Sequence, residues 1–312
     1  MKHVDVIKFN KIWIVYNRNS GKQLFASMLA RVNELGKLLH LAVNDSKKVQ
    51  VVDVHKFSEL DNIAKTIVKE RVDWVIIAGG DGTIRALIEK IVDCQYRPYF
   101  SVFPAGTVNL VARELLISKE PQRWIKRVIK GVENPVYFGR ANDNLFLTVA
   151  GIGYDSLIVD GVSETSKKLL SKFAYVWQGA EMLRKELLRK DWRYQFDVRF
   201  DNQKIWHKAS TVFVCKSRYY AGRYMLFDKA RLSDSHFNVA LFKGNSSADF
   251  MRYSVLVGME AIGMDKTVER LQAKKIEIKC NVEDFPAELD GDVITAAPLT
   301  IEMDNEPLKF LA

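Results

Sequence analysis

Three times in the first 110 residues, a short apolar run ends in a turn of small and polar residues and gives way to a helical pattern. Ile12–Tyr16 closes on Asn17-Arg18-Asn19-Ser20-Gly21-Lys22, Trp74–Ala78 on Gly79-Gly80-Asp81-Gly82-Thr83, and Tyr99–Phe103 on Pro104-Ala105-Gly106-Thr107-Val108-Asn109. Leu24, Met28, Val32 and Leu35 share a face behind the first turn, and Ile84, Leu87, Ile88, Ile91 and Val92 do so behind the second. A helix is expected from about Thr107 behind the third. Val49–Val54 adds a β-rich run, and Ser58-Glu59-Leu60-Asp61 has the pattern of a capping box with Asp in place of Glu. Continuous apolar strands alternating with amphipathic helices fold as a parallel sheet covered by helices.

From Pro135 onward the pattern changes. Tyr194–Phe200 alternates strictly, and Thr211–Val214, Phe237–Phe242, Lys275–Cys280 and Leu299–Met303 are further short strands between turns. A helical insert is expected near 166–191. The chain of 312 residues is long enough for two cores. We expect an α/β nucleotide-binding domain over 1–135 and a mainly antiparallel β domain over 136–312, with the extreme C-terminus free to return to the first.

Glycine lets a backbone approach an anion with no Cβ in the way, and the helix behind it presents unpaired N–H groups and a positive dipole end. Ligands of open α/β sheets bind at such carboxyl ends of strands. A plain strand-to-helix turn would explain one such motif; three at three strand ends point to one nucleotide cleft. Asp81 adds a carboxylate for a metal ion or a hydroxyl. Thr107 and Asn109 add a hydroxyl and an amide suited to phosphate oxygens. Neither GxxxxGK[ST] nor GxGxxG is present.

Forty-seven Lys and Arg against 38 Asp and Glu leave a formal charge of +9, which favours an anionic partner: a nucleotide, an acidic membrane or nucleic acid. Cys94, Cys215 and Cys280 are too few and too scattered for a disulfide framework or a zinc site. No signal peptide or membrane-spanning run is visible, and Glu260 interrupts Val255–Met264. The expectation is a soluble, reduced, cytoplasmic protein.

These motifs, in order, resemble the diacylglycerol kinase catalytic-domain family of bacterial lipid kinases, related to sphingosine and ceramide kinases. The matching residues are Asn17…Ser20-Gly21, Gly79–Thr83 and Pro104–Asn109 followed by Ala112-Arg113. Gly151-Ile152-Gly153-Tyr154-Asp155, Phe173-Ala174-Tyr175 and Leu289-Asp290-Gly291-Asp292 continue the order. The resemblance spans nearly the whole chain; Gly79–Thr83 alone is shared with NAD kinases.

The resemblance implies a two-domain kinase with the nucleotide between the domains. ATP phosphates would lie over Gly79–Thr83, with Thr83, Thr107 and Asn109 nearby. Asn17, Ser20, Gly21, Lys22, Gly106 and Asp292 complete the expected nucleotide site. Asp290 would be the general base on a lipid hydroxyl, with Mg2+ neutralising the transferring phosphoryl group. Taken by itself, Asp290-Gly291 also reads as a hairpin turn. Ala230–Ser235 resembles a loop that holds a structural metal through a carboxylate, here Asp234, although Ser235 replaces the family's glycine.

Arg85 and Ala86 stand where Asn and Glu are usual, Leu110 where Asp is common, and Asp292 where Glu is usual. An NAD kinase-like enzyme and a catalytically weak nucleotide- or lipid-binding regulator therefore stay open beside the lipid kinase. Nucleic acid is not expected, because charge alone supports it.

Leu183, Leu187 and Leu188 form a stripe beside Arg184, Lys185, Arg189 and Lys190. Such a basic amphipathic helix can lie on the anionic inner face of a membrane. It can equally pack its stripe on the second domain and leave its charges in water.

Overall fold

A computed structural model describes residues 2–18, 25–43, 48–153, 195–201, 203–220, 222, 224–282, 284–295 and 297–312. Ser20, Gly21, Lys22, Tyr154, Asp155 and the 166–191 insert, with Arg184, Lys185, Arg189 and Lys190, lie outside the described residues. The chain divides into two units. The first is 1–138 with 231–233 and 305–312; the second is 139–230 with 234–304.

The first unit is built on a seven-stranded sheet. Its order is β1 (Lys2–His3), β6 (Val132–Val136), β21 (Leu308–Leu311), β5 (Tyr99–Pro104), β4 (Trp74–Gly79), β2 (Ile12–Asn17) and β3 (Val49–Val54). Neighbours from β21 to β3 pair parallel, while β6 and β1 are added by antiparallel pairing. The helices are α1 (Phe25–Val43), α2 (Leu60–Glu70), α3 (Asp81–Asp93), α4 (Leu110–Glu114) and α5 (Pro121–Val128).

Every residue of β2 and β4 is buried, the burial expected of central parallel strands with both faces covered. Trp74 stacks on Trp124 of α5 at 6.3 Å between ring centroids. The Trp74 indole N–H donates to Ser101 Oγ, which donates in turn to the Leu311 carbonyl, fixing the last strand beside β5.

Register places the site. Tyr16 lies opposite Ala78 and Gly79 opposite Pro104, so the carboxyl ends of β2, β4 and β5 emerge side by side.

The second unit has two six-stranded sheets, and every pairing in them is antiparallel. One orders β11 (His207–Ala209), β10 (Phe196–Phe200), β17 (Lys275–Cys280), β20 (Leu299–Met303), β7 (Gly139–Ala141) and β8 (Asn144–Phe146). The other orders β16 (Val268–Ala273), β15 (Phe237–Phe242), β12 (Thr211–Cys215), β9 (Val149–Ile152), β18 (Pro286–Leu289) and β19 (Asp292–Thr295). A small ribbon pairs β13 (Tyr219–Tyr220) with β14 (Tyr224–Met225).

Phe196, Val198, Ile276 and Ile278 from one sheet share a core with Val212, Val214, Val239 and Leu241 from the other. The opposite faces of β12 and β15, through Phe213, Cys215, Ala240 and Phe242, pack with Tyr253 of α6 (Ser247–Gly258). Because β12 is buried on both faces, it reads as an unbroken apolar run. No described helix is long and apolar enough to cross a membrane.

Two helix starts differ from expectation. The helix expected from about Thr107 begins at Leu110, because Asn109 takes a left-handed backbone (φ 55°, ψ 55°) that postpones it. Ser58 caps nothing: it lies in a 3-10 turn, Phe57–Glu59, and the Glu59 carboxylate accepts from the His55 N–H.

Candidate active site

At the carboxyl edge of the parallel sheet, the glycine motif is shorter as a loop than its sequence suggests. Gly79 is the last residue of β4, Gly80 is the N-cap, and Asp81-Gly82-Thr83 is already the first turn of α3. First-turn amides have no intrahelical acceptor. A Cβ on Gly79 would strike Thr83 Cβ at 2.8 Å, and one on Gly106 would fall 2.5 Å from Gly80 Cα. Gly79 thus leaves room for the Thr83 side chain and Gly106 for the Gly80 backbone, and neither takes a positive φ.

The Pro104–Asn109 turn is closed by its own amide. Asn109 Oδ1 accepts from Gly106 N–H at 2.8 Å and Asn109 Nδ2 donates to the Gly106 carbonyl at 2.6 Å. Thr107 and Val108 are left exposed at its tip. Asp81 reaches across to the same turn: its carboxylate accepts from Leu110 and Val111 N–H at 3.0 and 3.2 Å, capping α4. Asn17 donates through Nδ2 to Thr83 Oγ1 at 2.7 Å, both side chains buried.

These contacts bring Asn17, Gly79, Gly80, Asp81, Gly82, Thr83, Gly106 and Asn109 to one edge, tied strand to strand. Beside them Arg18 pairs with Asp53 of β3, and burial, reinforced by Asp53, pushes the Tyr16 hydroxyl above its ordinary range. Arg85, one turn into α3, lies 4.0 Å from Glu89.

In the second unit, Asp290 occupies the hairpin between β18 and β19 with a left-handed backbone (φ 50°). Its Oδ2 accepts from Leu147 N–H at 2.7 Å. Its Oδ1 accepts from Thr148 N–H at 2.8 Å, the Thr148 hydroxyl at 2.5 Å and Val149 N–H at 3.0 Å. The turn reading and the carboxylate reading are thus both present in one residue, and four donors hold it. Glu288 accepts from Gly291 N–H below it. Asp292 opens β19 and is half-buried.

Asp234 lies in the loop leading into β15. Its carbonyl, together with that of His236 at 3.2 Å, accepts from Lys216 Nζ. Lys216 is fully buried, and that burial lowers its amine to about 8, with the Asp234 charge acting the other way. Donation to two carbonyl oxygens at once is the pattern of an ammonium, which has donors only. Among the described residues, no three His, Cys, Asp or Glu side chains are grouped to hold a metal ion.

Thr148, Lys216 and Asp53 escape the sequence reading. Thr148 and Asp53 carry no local signal, because their roles depend on partners remote in the chain. Lys216 does carry one: a lysine abutting an apolar strand that is buried on both faces needs internal acceptors.

Residues 11–141 match the family described as diacylglycerol kinase catalytic domain, and residues 148–312 match the YegS C-terminal NAD kinase beta sandwich-like domain. The chain is 26% identical over 280 residues to a diacylglycerol kinase of Bacillus subtilis (strain 168), covering 89% of this chain and 88% of that protein. A diacylglycerol kinase of Staphylococcus carnosus (strain TM300) is 27% identical, at 89% and 87% coverage. The crystal structure of a putative diacylglycerol kinase from Bacillus anthracis str. Sterne superposes with a TM-score of 0.79 at 20% identity, covering 97% of this chain and 95% of that one. With a glycine-built strand edge in one unit and an antiparallel sandwich carrying Asp290 in the other, the chain belongs to the family that joins a diacylglycerol kinase catalytic domain to a YegS C-terminal NAD kinase beta sandwich-like domain.

Proposed function

We propose that this protein is an ATP-dependent lipid kinase, transferring the γ-phosphoryl group to the hydroxyl of a diacylglycerol-like or sphingoid lipid. The observation that carries this reading is the contact of Gly80 with Gly106, where two strand ends meet backbone to backbone beside the first-turn amides of α3. A surface without Cβ atoms there suits phosphate oxygens. In the reaction, the lipid oxygen forms a bond to the γ-phosphorus, the bond to the bridging β–γ oxygen breaks, ADP leaves, and the hydroxyl proton passes to a carboxylate.

Asp81 is committed to two backbone N–H groups, and the described acidic side chains form no cage for a metal. Mg2+ belongs to this reading as the ion carried by the nucleotide's own phosphates, whose charge it neutralises. Asp290 is the proton acceptor the family resemblance implies. Its four donors favour a second assignment, in which Asp290 positions Leu147–Val149 and Asp292 takes the proton, because those donors already occupy the lone pairs with which Asp290 would accept one. A lipid substrate would be met at a membrane surface, the setting for the basic 166–191 segment.

Incubating the purified chain with labelled ATP, Mg2+ and separate lipid alcohols, with NAD as a parallel acceptor, tests the proposal. Label in a lipid supports it; label in NAD alone assigns an NAD kinase-like enzyme. ATP binding without any labelled product assigns a regulator.

A further inference from the structure

We propose that the Lys216 ammonium is a built-in cation for the 234–236 loop, and that this loop therefore takes no divalent metal. The family resemblance implies a structural metal here, held through Asp234. The residues present do not fit one. Lys216 closes β12 fully buried, and its Nζ donates to the Asp234 and His236 carbonyls, two residues apart in a turn whose middle residue is Ser235. A divalent ion coordinated by those oxygens would sit within contact distance of the ammonium. Two cations held at the same two carbonyl oxygens would repel each other at close range. An ammonium has three donors and no need of further ligands, so it can bridge loop carbonyls as a bound ion would.

The clamp also reaches the Asp290 hairpin. Lys216 N–H donates to the Thr148 carbonyl at 2.7 Å, and Thr148 donates from both its N–H and its hydroxyl to Asp290. Lys216 thus joins the 234–236 loop, through its side chain, to the segment that grips Asp290, through its backbone. It contacts no substrate in this assignment.

The test reads unfolding, not phosphoryl transfer, so its outcome is separate from that of the kinase reading. The unfolding midpoint of the full chain, without nucleotide, is measured in EDTA and in excess MgCl2, MnCl2 or CaCl2, for the wild type and Asp234→Asn. A divalent ion bound in the loop and present well above its Kd would raise the wild-type midpoint by several degrees. The expected result is no rise, or a rise that Asp234→Asn retains. A rise that Asp234→Asn abolishes overturns the proposal. Lys216→Met is expected to lower the midpoint by roughly 5 °C or more, since it takes the charged donor from two half-buried carbonyls. An unchanged midpoint overturns the proposal too. If Lys216→Met does not fold, the metal titration of the wild type and Asp234→Asn decides alone.

Discussion

Gly80 and Gly106 meet so closely that a methyl group on Gly106 would lie 2.5 Å from the Cα of Gly80, whereas one on Gly80 would lie 3.2 Å from the Cα of Gly106. The two positions are therefore unequal. Gly106→Ala must push β5's turn away from β4, at a cost of about 1–3 kcal/mol for overpacking against backbone. Gly80→Ala should cost less. Denaturant unfolding and binding of a nonhydrolysable ATP analogue measure both, and a Gly80→Ala variant worse than Gly106→Ala would contradict this packing.

Thr83 Oγ1 accepts from the Asn17 amide at 2.7 Å, a cross-link between the end of β2 and the first turn of α3. Thr83→Val preserves shape and removes the acceptor, so the buried Asn17 amide loses a partner, at about 1–3 kcal/mol. Thr83→Ser keeps the hydroxyl and should retain nucleotide affinity. Equal losses from Val and Ser would show that the methyl group matters, and not the hydrogen bond.

Asp290→Asn and Asp292→Asn separate a positioning carboxylate from a chemical one. Asn at 290 turns an NH2 toward the donors of the Leu147–Val149 segment or leaves one of them without an acceptor, costing on the order of 2–3 kcal/mol of stability. Asn at 292 should reduce kcat by ~100-fold or more, the scale of a lost general base. Normal kcat in Asp292→Asn would return the base to Asp290.

Asp265 is held below the usual carboxylate range, first by the Thr267 hydroxyl, against an opposing effect of burial, then by the Thr267 N–H and Arg252. A depressed carboxylate stabilises the fold above its unfolded value, about 3.9, and that contribution is lost as pH falls through the lower folded value. Asp249 of α6, depressed chiefly by Ser246, acts in the same direction, and both carboxylates pair with Arg252 of that helix. Unfolding should therefore become easier below about pH 4, the unfolded carboxylate range. Asp265→Asn should be less stable at pH 7 and show a flatter acid limb; an unaltered limb would remove Asp265 from the linkage.

Helix starts show how far local pattern reaches. Ser58 and Ser246 present the same S-x-x-D spacing, yet only Ser246 forms the capping box, with Asp249 accepting from the Ser246 N–H and hydroxyl. At Ser58, the Glu59 carboxylate is drawn to His55 N–H and the chain tightens into a 3-10 turn first. Asn109 likewise reads as a phosphate ligand by type, but its amide is spent on Gly106 three residues back.

The sequence by itself determined the layered first unit and the antiparallel second. Strand and helix periods are local, and buried parallel strands such as Trp74–Gly79 announce themselves as unbroken apolar runs. It also placed the glycines at the strand ends where a nucleotide would bind. Only the tertiary structure decided what the polar groups there do. Asp81 serves amides about thirty residues away, Asp290 serves amides more than 140 residues away, and Lys216 serves carbonyls of a separate loop. Leu308–Leu311 returns to pair parallel with β5, although some 200 residues separate them. A buried donor or acceptor must find a partner wherever the fold brings one, and such a partner leaves no period in the chain.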